Sequence, residues 1–93
     1  MRTLIGFALA GQRRFDEAVV EFRAEVGIRP DWATARWNLG KALLVLGKFD
    51  EGIEELGRAA QLDPANEQIQ DDLLRARDAR QRQLAGALPG NPK

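Results

Sequence analysis

The sequence predicts an all-α fold of antiparallel helix-turn-helix repeats, about five helices long, and three observations carry that reading. The first is internal repetition: Phe15-Asp16-Glu17-Ala18-Val19 returns as Phe49-Asp50-Glu51-Gly52-Ile53, 34 residues later. The same offset pairs Ile5 with Leu39, Gly6 with Gly40, Ala8 with Ala42, Leu9 with Leu43, Phe22 with Leu56, Ile28 with Leu62 and Pro30 with Pro64. A fixed period in this range marks stacked supersecondary units. The second observation is that apolar residues inside each unit recur at spacings of three and four, the period of a helix with one buried face. The third is punctuation, with glycine between the two halves of the second unit and proline at the end of both units.

The elements follow in order. Residues 1–10, Met1-Arg2-Thr3-Leu4-Ile5-Gly6-Phe7-Ala8-Leu9-Ala10, lie in the repeat register and are expected to form the first helix. A competing reading is a secretory signal, since one Arg, a short apolar stretch and Ala8-Leu9-Ala10 fit its outline. The register favours the helix, and with it a cytoplasmic chain; a signal would mean a secreted or periplasmic one. Phe15, Val19, Phe22 and Val26 place the second helix, and Phe49, Ile53, Leu56 and Ala60 the fourth. Between them, Ala35, Leu39, Ala42, Leu43 and Leu46 form the buried side of the third. Gly47 can take the left-handed conformation that ends a helix, and Arg13 stands at the matching place in the first unit. Pro30 and Pro64 stop the second and fourth helices, because proline disfavours helical geometry in the residue before it. Asp31 and Asn66 are expected to cap the helices that follow. Gly6, Gly40, Ala8, Ala42 and Ala59 are expected where antiparallel helices approach closely, and Glu25 replaces the small residue that Ala59 supplies. The fifth helix runs from about Asn66 to Leu84. Ile69, Leu73 and Ala76 pack back onto the second unit, while its charged remainder faces water as an end cap. The expected domain is 1–85, made of a truncated repeat (1–30), a full repeat (31–64) and a capping helix (65–85), with 86–93 as a disordered tail.

Composition excludes several functions. The 93 residues hold no Cys, His, Ser or Tyr, so disulfides, Cys/His metal sites, the usual nucleophiles and the commonest neutral-pH base are missing. No enzymatic role and no cofactor are expected. The 14 basic and 14 acidic residues cancel, which argues against a nucleic-acid partner. Arg75, Arg77, Arg80 and Arg82 form a basic run, but Asp71 and Asp78 stand within a turn and compensate it. Glu54-Glu55 and Asp71-Asp72 are sequence neighbours, whose side chains diverge on a helix rather than converge on a substrate. No calcium-loop spacing is present. No apolar run approaches the roughly 20 residues of a membrane-spanning helix, so no membrane partner is expected.

Trp37-Asn38-Leu39-Gly40-Lys41-Ala42, then Gly47-Lys48-Phe49-Asp50-Glu51, then Ala59 and Leu62-Asp63-Pro64, together resemble a tetratricopeptide repeat. The resemblance fills the central unit and implies an α-solenoid whose first helices line a groove for a peptide or a partner's helix. Carried over, that groove is faced by Thr3 and Phe7, then by Thr34, Trp37, Asn38, Lys41, Leu44 and Val45, then by Gln68, Asp71 and Arg75. With core positions taken by its neighbours, Trp37 is expected on the open face as an anchor. Family members that hold a chaperone's carboxyl terminus use a clamp of Lys and Asn residues with an Arg. The matching places are Thr3, Phe7, Asn38, Gln68 and Asp72, of which only Asn38 fits, so that mode is not expected. The expected function is a non-catalytic protein–protein interaction module. Its alternatives are a self-associating scaffold, a homo-oligomer formed through exposed terminal helix faces such as Leu4, Phe7 and Gly11, or a piece of a larger repeat protein.

Overall fold

A computed structural model describes residues 2–87, with side chains from Ile5 to Leu84. Five helices follow one another: α1 (Arg2–Gly11), α2 (Phe15–Ile28), α3 (Ala33–Val45), α4 (Phe49–Leu62) and α5 (Glu67–Ala87). Each packs against its chain neighbours, and α5 also touches α3, so the helices form a continuous stack. The all-α repeat architecture is the expected one. The last helix continues past Gly86, where the sequence suggested a tail had begun; residues 88–93 lie outside the described residues.

The turns within the α1–α2 and α3–α4 pairs are conformational copies. Gly47 has φ 80 and Arg13 has φ 62, so both occupy the left-handed region. The amide of Arg14 donates to the Leu9 carbonyl at 2.8 Å, and that of Lys48 to the Leu43 carbonyl at 2.9 Å. Behind them, the Arg13 amide donates to Ala10 and the Gly47 amide to Leu44, at 3.0 and 2.9 Å. This paired bonding of the last helical carbonyls is a Schellman closure. Arg13 adopts it without glycine's freedom, at a cost of about 1–2 kcal/mol for an L-residue in that region. Acidic residues follow each turn, Asp16 and Glu17 in α2 and Asp50 and Glu51 in α4, where the helix dipole favours them.

Two apolar clusters hold the stack. One joins Ala18, Val19 and Phe22 of α2 to Leu39, Ala42 and Leu43 of α3. The other joins Leu56, Ala59 and Ala60 of α4 to Ile69, Leu73 and Ala76 of α5. Close approach within each pair depends on glycine. A Cβ at Gly6 would stand 2.5 Å from the Phe22 ring, and one at Gly40 would meet Leu56 at 2.9 Å and the Gly52 carbonyl at 3.0 Å. Arg36 ties α3 to the preceding loop and to α4, donating to the Pro30 carbonyl and to Glu55, each at 2.9 Å.

Three local expectations need correction. Asp31 is exposed and does not cap α3; Trp32 holds the cap position, with no side-chain bond to the helix. Asn66 does cap α5, its Oδ1 accepting from the amides of Gln68 and Ile69 at 3.0 and 3.2 Å. Leu46 is 38% exposed, because α3 ends one residue before it and the turn swings it outward. Ala8 is exposed, since among the described residues no helix packs over that side of α1. Glu25 is buried like the alanine it replaces, its carboxylate meeting Arg29 at 3.5 Å.

Candidate partner-binding groove

Two adjoining hollows open along the edge of α3 that carries Lys41 and Val45. The first, of about 200 Å³, lies between α1, α2 and α3 and is lined by Phe7, Ala10, Phe15, Phe22, Asn38, Lys41, Ala42 and Val45. The second, of about 300 Å³, lies between α3, α4 and α5 and is lined by Lys41, Leu44, Val45, Phe49, Asp72, Arg75, Ala76 and Ala79. Lys41 and Val45 belong to both, one helical turn apart, and form the ridge between them. Each hollow takes its floor from the residue that opens a second-type helix, Phe15 or Phe49. That residue follows directly on the left-handed turn, which folds it back beside the preceding helix.

The first hollow is aromatic and almost without charge. Phe7 is 48% exposed, and its ring meets Phe22 edge-on at 5.6 Å between centroids. Asn38 is 4% exposed, yet its amide nitrogen Nδ2 has no hydrogen-bond partner. A buried donor without a partner is uncommon and costs roughly 1–3 kcal/mol. The second hollow holds Asp72 and Arg75 beside Lys41, and those charges are already engaged. Asp72 accepts the indole N–H of Trp37 at 2.7 Å, and Arg75 meets Asp71 at 3.6 Å.

Of the expected groove residues, Phe7, Asn38, Lys41, Leu44, Val45 and Arg75 are brought together here. Trp37 is placed differently from the expectation of an open-face anchor. It is half-buried against the α4–α5 cluster, its N–H is spent on Asp72, and Lys41 Nζ stands 4.4 Å from its ring centre. Phe7 supplies the exposed aromatic surface instead. Thr34 is half-buried, Gln68 and Asp71 are exposed, and all three line neither hollow. Thr3 lies outside the described side chains. Sequence reasoning passed over Phe15, Phe22 and Phe49, reading them as the buried stripe of their helices. For Phe15 and Phe49, the shared position right after the turn was the available signal.

Among the described residues, no three acidic side chains gather to hold a metal ion, and no helix is long and apolar enough to cross a membrane. The outward face of α5 is internally paired, with Asp71 on Arg75 and Asp78 on Arg82, while Arg80 crosses to Asp50 of α4.

The family model of the tetratricopeptide repeat matches residues 33–66, a span that opens with α3, contains α4 and ends at the cap of α5. The chain is 33% identical over 72 residues to the Hsp70-Hsp90 organizing protein of Triticum aestivum, covering 77% of this chain and 12% of that protein. It is 28% identical over 58 residues to the STIP1 homolog of Dictyostelium discoideum, covering 62% of this chain and 10% of that one. The chain therefore spans only about a tenth of the length of these relatives. The repeat period, the copied turns, the glycine-mediated close approach and the matched span agree, and residues 33–66 form a tetratricopeptide repeat.

Proposed function

We propose that the chain is a non-catalytic protein–protein interaction module that takes a partner's peptide along the Lys41–Val45 ridge. The observation that carries this reading is the unpartnered Nδ2 of Asn38 beside the aromatic hollow. Asn38 lines that hollow with Nδ2 itself buried, and a turn of its side chain would present the donor to a backbone carbonyl of a bound peptide, whose apolar side chain would fill the space between Phe7 and Val45. A relative whose name ties it to Hsp70 and Hsp90 supports a protein partner. Phe7 and Asp72 stand at places where carboxylate-holding members of the family carry clamp residues, and neither can hold a carboxylate. The ligand class is accordingly an internal, apolar-anchored segment rather than an acidic chain end.

The test pairs affinity with stability. Peptides selected from a random display library on the wild-type chain are expected to be apolar at one fixed position. Asn38→Leu is expected to weaken them by about three- to tenfold, the worth of one hydrogen bond. The same substitution is expected to raise folding stability by about 1 kcal/mol, because an apolar group of similar shape relieves an unsatisfied donor. Unchanged affinity, or a loss of stability, would remove Asn38 from the ligand site.

A further inference from the structure

The groove holds one charge that the fold leaves without a counter-ion. Lys41 lines both hollows and is exposed. Among the described residues it makes no ion pair. The charges beside it are engaged: Asp72 accepts the indole N–H of Trp37 at 2.7 Å, and Arg75 meets Asp71 at 3.6 Å. The two hollows together are lined by two cations, Lys41 and Arg75, and one anion, Asp72. The groove is therefore net positive within an apolar lining. The whole chain has a net charge of zero, so this excess is local rather than a general attraction for acids.

The ammonium is also held in place. Its Nζ stands 4.4 Å from the centre of the Trp37 ring, where the electron-rich face of the indole attracts it. That ring is fixed in turn, by its bond to Asp72 and by its packing on the α4–α5 cluster. A lysine head normally ranges over many rotamers, and gripping a carboxylate costs that freedom. Here the indole has removed part of it before any ligand arrives. The apolar walls on either side lower the local dielectric, which makes a charge pair on this ridge stronger than one on open surface. Lys41 is a different position from the clamp places Thr3, Phe7, Asn38, Gln68 and Asp72.

We infer that the groove selects a partner segment with an acidic residue flanking its apolar anchor, the side-chain carboxylate accepting from the Lys41 ammonium. The inference rests on the groove reading proposed above and adds the charge of the ligand to it. The acid flanks the anchor because Lys41 lines the same hollow as Phe7 and Val45, where the anchor sits. The probe is a random peptide display library, its segments internal to fixed Gly-Ser linkers, selected in parallel on the wild type and on Lys41→Glu. The wild type is expected to enrich Asp or Glu beside the apolar anchor, and Lys41→Glu to enrich Lys or Arg at that place with the anchor kept. A selected peptide, synthesised with both ends blocked, is expected to bind about two- to fivefold more weakly once its acid becomes the amide. Lys41→Gln is expected to cost as much, the two changes together no more than either, and Lys41→Arg little. Circular dichroism checks that each variant is folded. An apolar anchor enriched without an acid beside it, or with the same acid on Lys41→Glu, overturns this inference and leaves the groove reading standing. No apolar position enriched on the wild type overturns both. A wild-type dimer in light scattering that Lys41→Glu dissociates also overturns it, because a second copy is then the occupant.

Discussion

The two helix pairs share one register but achieve close packing differently. In the α1–α2 pair the glycine at the contact is Gly6, and what it admits is the Phe22 ring. In the α3–α4 pair, Gly40 and Gly52 face each other, and each would bring a Cβ within 3.0 Å of the other's carbonyl oxygen. One pair is closed by a side chain that can rotate, the other by backbone against backbone. A repeat period therefore conserves topology while leaving the intimacy of each contact to one or two residues.

The largest test of that contrast removes the core on either side. Leu43→Ala and Leu56→Ala, both at fully buried positions, are each expected to destabilise by about 2–5 kcal/mol. Urea unfolding followed at Trp32 and Trp37 checks this, and a biphasic transition in only one variant would show the two clusters melting separately. Next comes Gly52→Ala, expected to lose about 1–3 kcal/mol because the Gly40 carbonyl cannot yield. Gly57→Ala, in the same helix but with open space around it, is expected to gain up to about 1 kcal/mol from helix propensity. A gain at Gly52 would mean that the second pair is looser than described. The turns offer a smaller effect of opposite signs: Arg13→Gly is expected to stabilise and Gly47→Ala to destabilise, each by about 1 kcal/mol. In a domain of this size that shifts the thermal midpoint by about 4–8 °C.

The smallest expected effect is at Glu17. Arg14 holds its carboxyl below the usual carboxylate range, chiefly through their side-chain hydrogen bonding. A carboxyl lowered on folding contributes stability above its unfolded pKa and loses it as pH falls through the folded value. The pair is solvent-exposed, so Glu17→Gln is expected to leave the thermal midpoint near neutral pH unmoved, and only acid titration of the wild type should show it.

Sequence by itself determined the helices, their order and the repeat, because period, proline and the turn closure are local properties. It located Gly47, the Asn66 cap and the packing of Ile69, Leu73 and Ala76, each of which follows from a spacing along the chain. The tetratricopeptide resemblance, rather than spacing, brought Phe7, Asn38, Lys41, Leu44, Val45 and Arg75 into the expected groove. Tertiary structure decided the rest. The side chain of Trp37 had a free choice between open face and cluster until Asp72, 35 residues away, accepted its N–H. Ala8 repeats Ala42 in sequence, yet only one has a helix over it, since burial belongs to the neighbour rather than to the residue. The unsatisfied amide of Asn38 is likewise invisible in a string of letters, because a missing partner is a fact about space.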